Sequence, residues 1–212
     1  MNLVFDLDGT LTDPKPGISA CIRHALEQLG QPLEPEASLD WCIGPPLQDS
    51  FAKLLGDAKD VPQALELYRE RFRERGMFEN SVYPDIPRVL DGLSGRADLF
   101  VASSKPRVFV EKIVEHFGLA RHFKAVCGSG LDGSHSDKGE LIAWLLREQA
   151  LPKAEVVMVG DREHDMIGAK ANGIPGIGVL WGYGSEKELR DAGARATARD
   201  PRALEGLLLA LL

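Results

Sequence analysis

Residues 3–10 read LVFDLDGT, a short apolar run that ends in two aspartates and a glycine. Such a run, bounded by turn residues, predicts a strand buried on both faces. Asp6 and Asp8 then follow its carboxyl end, where Gly9 lets the backbone turn sharply. Two clustered carboxylates repel unless a cation or a proton intervenes, so they indicate a divalent, oxygen-binding ion such as Mg²⁺. The alternative is an ordinary acidic turn.

The same pattern recurs along the chain. Four further apolar runs end in turn residues, at 99–102, 125–127, 156–159 and 177–180. Stripes at helical spacing, such as 109–117, lie between them. This alternation predicts an α/β fold with a Rossmann-like parallel sheet covered by helices. Ligands bind such sheets at the carboxyl ends of the strands.

One region interrupts the alternation. Residues 14–80 contain mainly helical segments and no convincing buried strand. We therefore expect a core domain formed by residues 1–13 and 81–212, with an inserted, all-helical domain at 14–80.

A second acidic strand end lies in VMVGDREHD, residues 157–165. Asp161 ends the apolar run, and Asp165 follows four residues later. A solvated turn would also explain Asp161, and capping of a helix that starts near Met166 would explain Asp165. Carboxylates at the ends of two neighbouring strands would together form one metal-binding site.

Composition narrows the choice of partners. The formal net charge is −7, and no long run of Lys or Arg offers a track for a nucleic acid polymer. Three widely spaced cysteines argue against a disulfide framework. No signal-like N-terminus or membrane-length apolar run is present, so we expect a cytoplasmic protein with no membrane partner.

Together these motifs resemble the haloacid dehalogenase superfamily of aspartate-nucleophile phosphatases. The DLDGT stretch matches the first family motif, Ser103 at the end of VAS the second, Lys138 in SDKGELI the third and GDREHD the fourth. The helical insert resembles the family's helical cap. The resemblance covers essentially the whole chain and implies a phosphatase.

The resemblance implies catalytic roles for four residues. Asp6 would be the nucleophile, and Asp8 would protonate the leaving oxygen and then activate water. Ser103 would hydrogen-bond a phosphoryl oxygen, and Lys138 would neutralise charge. Taken alone, Ser103 also fits a turn former and Lys138 a solvated lysine. Asp8 favours phosphoester cleavage over dehalogenation, because an alkoxide needs a proton donor and a halide does not.

The resemblance also implies a Mg²⁺ site. Asp6, the backbone carbonyl of Asp8 and Asp161 would bind the ion, and Asp165 would support them directly or through water.

Substrate choice is expected to depend on the cap. The loop around Gly44 in WCIGPPL resembles a substrate-facing loop of phosphoglycolate phosphatases, although a plain turn fits equally. Ser104 and Lys105 follow the second motif and are further candidates for substrate contact. Residues 128–142, GSGLDGSHSDKGELI, resemble instead a bacterial subgroup described as 5′-nucleotidase-like. Lys138 is followed by Gly139-Glu140 rather than the Pro-x-Pro typical of phosphoglycolate phosphatases.

The sequence thus favours a small phosphorylated metabolite, preferably a nucleoside 5′-monophosphate, hydrolysed by a monomer or homodimer. Phosphoglycolate is the alternative substrate. A phosphomutase or a non-catalytic regulatory module on the same fold are the alternatives of another class.

Overall fold

The computed structural model describes all 212 residues. In chain order the strands are β1 (Asn2–Phe5), β2 (Thr12–Asp13), β3 (Ser81–Val82), β4 (Asp98–Pro106), β5 (Phe123–Ser129), β6 (Val156–Gly160), β7 (Gly176–Val179) and β8 (Ala196–Ala198). The α-helices are α1 (Lys15–Gln28), α2 (Leu47–Leu55), α3 (Val61–Arg71), α4 (Ile86–Leu93), α5 (Arg107–His116), α6 (Lys138–Glu148), α7 (Glu163–Ala171), α8 (Glu186–Asp191) and α9 (Pro201–Leu209). The chain forms two compact units, Met1–Thr12 with Val82–Leu212, and Asp13–Ser81.

The first unit is built on a six-stranded sheet in the order β5-β4-β1-β6-β7-β8. Every neighbouring pair is parallel. Strand β1 lies inside the sheet, and Leu3, Val4 and Phe5 give it apolar, fully buried side chains on both faces. The predicted α/β fold with a parallel sheet is confirmed.

Three details of this unit differ from the sequence-based expectation. Strand β4 continues past Ser104 to Pro106. Strand β5 lies at the sheet edge, so its first four residues are not fully buried, and the expected burial on both faces is wrong there. Strand β8 was not predicted, because three residues of sequence ATA carry too little apolar pattern to stand out.

The second unit is helical. Phe51 and Tyr68 pack edge to face with ring centroids 6.1 Å apart, and Tyr68 stacks on Phe72 at 5.4 Å. Arg71 donates two hydrogen bonds to Glu79, at 2.7 and 3.0 Å. The packing of these aromatic rings and the bidentate ion pair between Arg71 and Glu79 therefore stabilise this unit.

Two buried cysteines give a test of the packing in the two units. Burial raises the pKa of the Cys42 and Cys127 thiols to about 11. Because the thiolate is the reactive form, both should react with a disulfide reagent at pH 8 at least ~100-fold more slowly than in urea. Mass spectrometry of quenched samples locates the labelled residues. Labelling of either thiol in the native protein at the rate of a free cysteine would contradict this packing.

Candidate active site

The DGT turn places two carboxylates beyond β1. The Asp6 N–H donates to the Val159 carbonyl at 2.9 Å, so Asp6 is held against β6. Gly9 adopts a φ of +82°, which favours glycine. A Cβ added to Gly9 would lie 2.2 Å from Asp161 Oδ2, so this turn also needs glycine for the close approach of Asp161.

Strand register explains why distant segments meet here. Phe5 pairs with Val101 on β4 and with Val159 on β6. The residues after each of these positions therefore share one edge of the sheet. Asp6, Ser103 and Asp161 follow the apolar parts of three adjacent strands.

The structure brings three carboxylates together. One oxygen each of Asp6, Asp161 and Asp165 lies within 4.8 Å of the others, and all three residues are buried. Burial, followed by repulsion from Asp165 and Asp6, raises the pKa of Asp161 well above its usual value. Such a group stays charged only where a cation offsets both effects.

Lys138 provides one positive charge at this cluster. Its Nζ lies 2.9 Å from Asp6 Oδ1 and 2.8 Å from Asp165 Oδ1, and it donates to the Ala102 carbonyl at 2.9 Å. Lys138 is only 5% exposed, so the alternative of a solvated lysine is wrong. Burial lowers its pKa, but attraction to Asp165 and Asp6 outweighs burial and raises the pKa above its ordinary value.

Asp165 does not cap a helix that starts near Met166, as one reading of the sequence expected, but belongs to the capping box of a helix that starts earlier. Helix α7 begins at Glu163, three residues before Met166. Asp165 lies in its first turn, where Oδ2 accepts a hydrogen bond from the Arg162 N–H at 3.2 Å. The carboxylate therefore supports the start of the helix and still reaches Lys138.

Asp8 points to a different partner. Lys105 Nζ donates to Asp8 Oδ1 at 2.8 Å, and both side chains are almost fully buried. Burial raises the pKa of Asp8 and outweighs the attraction to Lys105, which lowers it. The Asp8 side chain is not part of the three-carboxylate cluster, which leaves only its backbone carbonyl for the predicted metal contact.

The remaining predicted residues have these positions. Ser103 is 2% exposed, and its Oγ accepts a 3.4 Å hydrogen bond from the Lys105 N–H. The Ser104 carbonyl accepts a hydrogen bond from Ser129 Oγ at 2.8 Å. Gly44 belongs to the helical unit, where it has a φ of +104° between a turn at Asp40–Cys42 and helix α2.

Sequence reasoning missed a loop after β7. The Tyr183 N–H donates to Asp161 Oδ2 at 2.8 Å, and Trp181 Nε1 donates to the Thr10 carbonyl at 3.1 Å. The WGYG stretch at residues 181–184 is the signal that could have revealed this loop, because two glycines after a strand permit a close backbone approach.

The cluster fits a divalent cation. Its carboxylate oxygens are the hard ligands that Mg²⁺ prefers. Lys138 compensates one of the three charges, and a divalent ion would compensate the other two. Without such compensation, burial of three carboxylates this close together is unfavourable.

The fold and this site define a class of hydrolase. The model of the haloacid dehalogenase-like hydrolase family matches residues 3–179, and the chain belongs to this family. The chain is 48% identical to a Pseudomonas aeruginosa protein named 5′-nucleotidase, over 89% of this chain and 86% of that protein.

More distant relatives have other names. The tyrosine-protein kinase PtkA of Mycobacterium tuberculosis is 38% identical, over 86% of this chain and 62% of that protein. A phosphoglycolate phosphatase of Vibrio parahaemolyticus is 27% identical, over 85% of this chain and 84% of that protein.

The crystal structure of a "predicted phosphatase" from Clostridium acetobutylicum superposes with a TM-score of 0.94, at 40% identity, and covers 99% of this chain and 98% of that one. The family and the enzyme class inferred from the sequence, a phosphatase of the haloacid dehalogenase superfamily, are confirmed. No helix combines the length and apolar character needed to cross a lipid bilayer.

Proposed function

We propose that this phosphatase is a magnesium-dependent phosphomonoester hydrolase that forms a phosphorylated Asp6. The observation that carries the proposal is the buried cluster of three carboxylates, in which Lys138 bridges Asp6 and Asp165. In this proposal Asp6 is the nucleophile, Lys138 is a fixed cation and the carboxylates are hard oxygen ligands, all at the same edge of the sheet. This is the combination that transfer of an anionic phosphoryl group requires.

In the first step, an Asp6 oxygen attacks phosphorus in line, and the bond from phosphorus to the ester oxygen breaks. Asp8 gives its proton to the departing oxygen. In the second step, Asp8 takes a proton from the attacking water, and the bond between phosphorus and Asp6 breaks. The raised pKa of Asp8 is consistent with the acid role, since it favours the protonated form.

Two other side chains stabilise the charge that develops. Lys138 stays within ion-pair distance of Asp6 and would lower the repulsion between the Asp6 carboxylate and the phosphate. Ser103, buried at the end of the β4 apolar run, would donate a hydrogen bond from its hydroxyl to a phosphoryl oxygen.

The metal ligands in this proposal are Asp6, the Asp8 carbonyl and Asp161, with Asp165 supporting them. When bound there, Mg²⁺ supplies charge stabilisation and orients the phosphate against Asp6.

We propose nucleoside 5′-monophosphates as the substrate class. The relative named 5′-nucleotidase, at 48% identity, supports this choice. The Gly139-Glu140 pair after Lys138 supports it further, because it departs from the phosphoglycolate phosphatase pattern. Phosphoglycolate remains the second candidate, favoured by the more distant Vibrio relative.

The helical unit, taken as residues 14–80 in the sequence-based division, is proposed as a cap whose Gly44 loop contacts the substrate. Ser104 and Lys105 are proposed as contacts from the core. The same proposal includes a small phosphorylated metabolite as the partner. It also includes a monomeric or homodimeric state and a cytoplasmic location.

The substrate proposal is tested by measuring phosphate release from nucleoside 5′-monophosphates, phosphoglycolate, pyrophosphate and sugar phosphates. The purified protein is assayed with Mg²⁺ and with excess EDTA. We expect nucleotides to give the highest kcat/KM and EDTA to remove at least ~99% of the turnover, since both charge stabilisation and orientation are lost. Readdition of Mg²⁺ should restore it.

Different outcomes contradict different parts of the proposal. A kcat/KM for phosphoglycolate an order of magnitude above every nucleotide, about 1.4 kcal/mol in transition-state binding, would make the substrate class wrong. Conversion of one sugar phosphate to another with little net phosphate release would indicate a mutase. Activity unaffected by EDTA would refute the metal role.

A further inference from the structure

The loop Trp181–Gly184, called the WGYG loop, packs against Asp161. The Tyr183 N–H donates to Asp161 Oδ2 at 2.8 Å. Thr10 Oγ1 donates to the other carboxylate oxygen, Asp161 Oδ1, at 3.3 Å. Both Asp161 oxygens thus accept hydrogen bonds, and a carboxylate oxygen has two lone pairs, so the same carboxylate can also bind a cation.

The glycines of the loop show how closely its backbone approaches. A Cβ on Gly182 would lie 2.4 Å from Asp161 Oδ2 and 2.4 Å from the Gly9 carbonyl oxygen. A Cβ on Gly184 would lie 2.0 Å from the Asp161 carbonyl oxygen. The loop is therefore packed directly against Asp161, against its carboxylate at Gly182 and its backbone carbonyl at Gly184, with no space for a side chain at these two positions.

Trp181 connects this loop to the DGT turn. Its indole Nε1–H donates to the Thr10 carbonyl at 3.1 Å. Its ring packs edge to face against Tyr83, with centroids 6.5 Å apart. Trp181 does not contact Asp161 through a hydrogen bond, but it fixes the backbone of the residue whose hydroxyl does.

The far end of the loop is held as well. Ser185 caps helix α8, with its Oγ accepting from the Glu188 N–H at 3.1 Å. Glu188 Oε1 then accepts from Arg162 Nε at 2.8 Å and from the Glu163 N–H at 3.0 Å. Both ends of the loop are thus tied to segments that carry the carboxylates.

We propose that Trp181 is a positioning residue for metal binding: through Thr10, it holds the Asp161 carboxylate in the orientation that binds Mg²⁺. The inference rests on the proposed metal site and adds a residue outside its ligands. Hydrogen-bonded partners of metal ligands fix the ligand's orientation, and their loss typically weakens metal binding by 10–100-fold.

The test is the Mg²⁺ dissociation constant of the metal-free protein, measured by isothermal titration calorimetry. Trp181→Phe keeps an aromatic ring but removes the indole N–H together with the second ring. We expect binding to weaken by about tenfold, the lower end of the range for hydrogen-bonded partners of a metal ligand. At saturating Mg²⁺, turnover should return to near the wild-type value, which a general disruption of the site would not allow. Trp144→Phe is the matched control, because Trp144 is also partly buried but stacks on His135, away from the carboxylates.

A double-mutant cycle tests the route through Thr10. Thr10→Val removes the hydroxyl that bonds Asp161 and should itself weaken Mg²⁺ binding. If Trp181 acts through that hydroxyl, adding Trp181→Phe to Thr10→Val should change the constant by less than about twofold. A further tenfold loss in the double variant would show an independent route and overturn the proposal.

Two other outcomes are separable. If the wild-type protein binds Mg²⁺ and the Trp181→Phe variant binds it with the same affinity, the positioning role alone is refuted. Wild-type protein that binds no Mg²⁺ would refute the metal site, and the role of Trp181 with it. Thermal unfolding of Trp181→Phe and Trp144→Phe confirms that both are folded at the titration temperature.

Discussion

Asp6→Asn is expected to lower phosphatase turnover at least ~10⁴-fold, because an amide cannot act as the anionic nucleophile. The side chain keeps its size. Lys138 keeps Asp165 at 2.8 Å and the Ala102 carbonyl at 2.9 Å. The fold should therefore persist, and the loss should lie in the chemical step.

The measurement is phosphate release from p-nitrophenyl phosphate at saturating Mg²⁺, with unfolding followed by circular dichroism. Asp98→Asn makes the same chemical change at the exposed start of β4, where Asp98 faces Lys124 at 3.7 Å. That control should retain wild-type turnover. Residual turnover of Asp6→Asn above a hundredth of wild type would argue against Asp6 as the nucleophile.

Lys138→Met is expected to have the second largest effect. It removes the buried cation shared by Asp6 and Asp165 and leaves their charges uncompensated. Breaking a buried pair in this way typically costs about 3–5 kcal/mol of unfolding free energy. Turnover should fall at least ~10³-fold, because charge at the nucleophile is no longer offset.

Chemical denaturation with and without Mg²⁺ separates the two sources of charge compensation. We expect the loss in unfolding free energy for Lys138→Met to be smaller in saturating Mg²⁺, since the ion compensates part of the carboxylate charge. Lys124→Met is the control, because it makes the same substitution at an exposed lysine on β5. It should change the free energy of unfolding by less than about 0.5 kcal/mol. Equal losses for Lys138→Met with and without the ion would mean that lysine and metal do not share the same carboxylates.

Much of the fold could be predicted because its signal is local. The buried strands β1, β4 and β6 are continuous apolar runs that end in polar turn residues, and parallel strands bring those ends to one edge. Asp6 and Asp161 could be assigned to that edge on this basis, whereas the adjacency of β1 and β6 is seen only in the structure. The short edge strand β8 could not be predicted, since a three-residue strand has no period to detect.

The details of the site depend on contacts across the sheet, which sequence spacing does not encode. The sequence predicts Lys105 as a candidate for substrate contact, but its pairing with Asp8 is seen only in the structure, where β4 extends to Pro106. Lys138 is buried because helix α6 begins at this residue and brings its ammonium group against Asp6. The contact of Trp181 with Thr10 is the hardest of these to predict from sequence, because the two residues are 171 positions apart in the chain.

The central proposal is that Asp6 and Asp161 share one Mg²⁺ beside the phosphate. A crystal structure of the protein with Mg²⁺ and aluminium fluoride, which imitates a phosphoryl group in transfer, tests it most directly. We predict one ion bound to oxygens of both Asp6 and Asp161. The aluminium of the fluoride complex should be bound to an Asp6 oxygen, and Lys138 should still contact Asp6. An ion bound elsewhere, or a fluoride complex away from Asp6, would contradict the proposal.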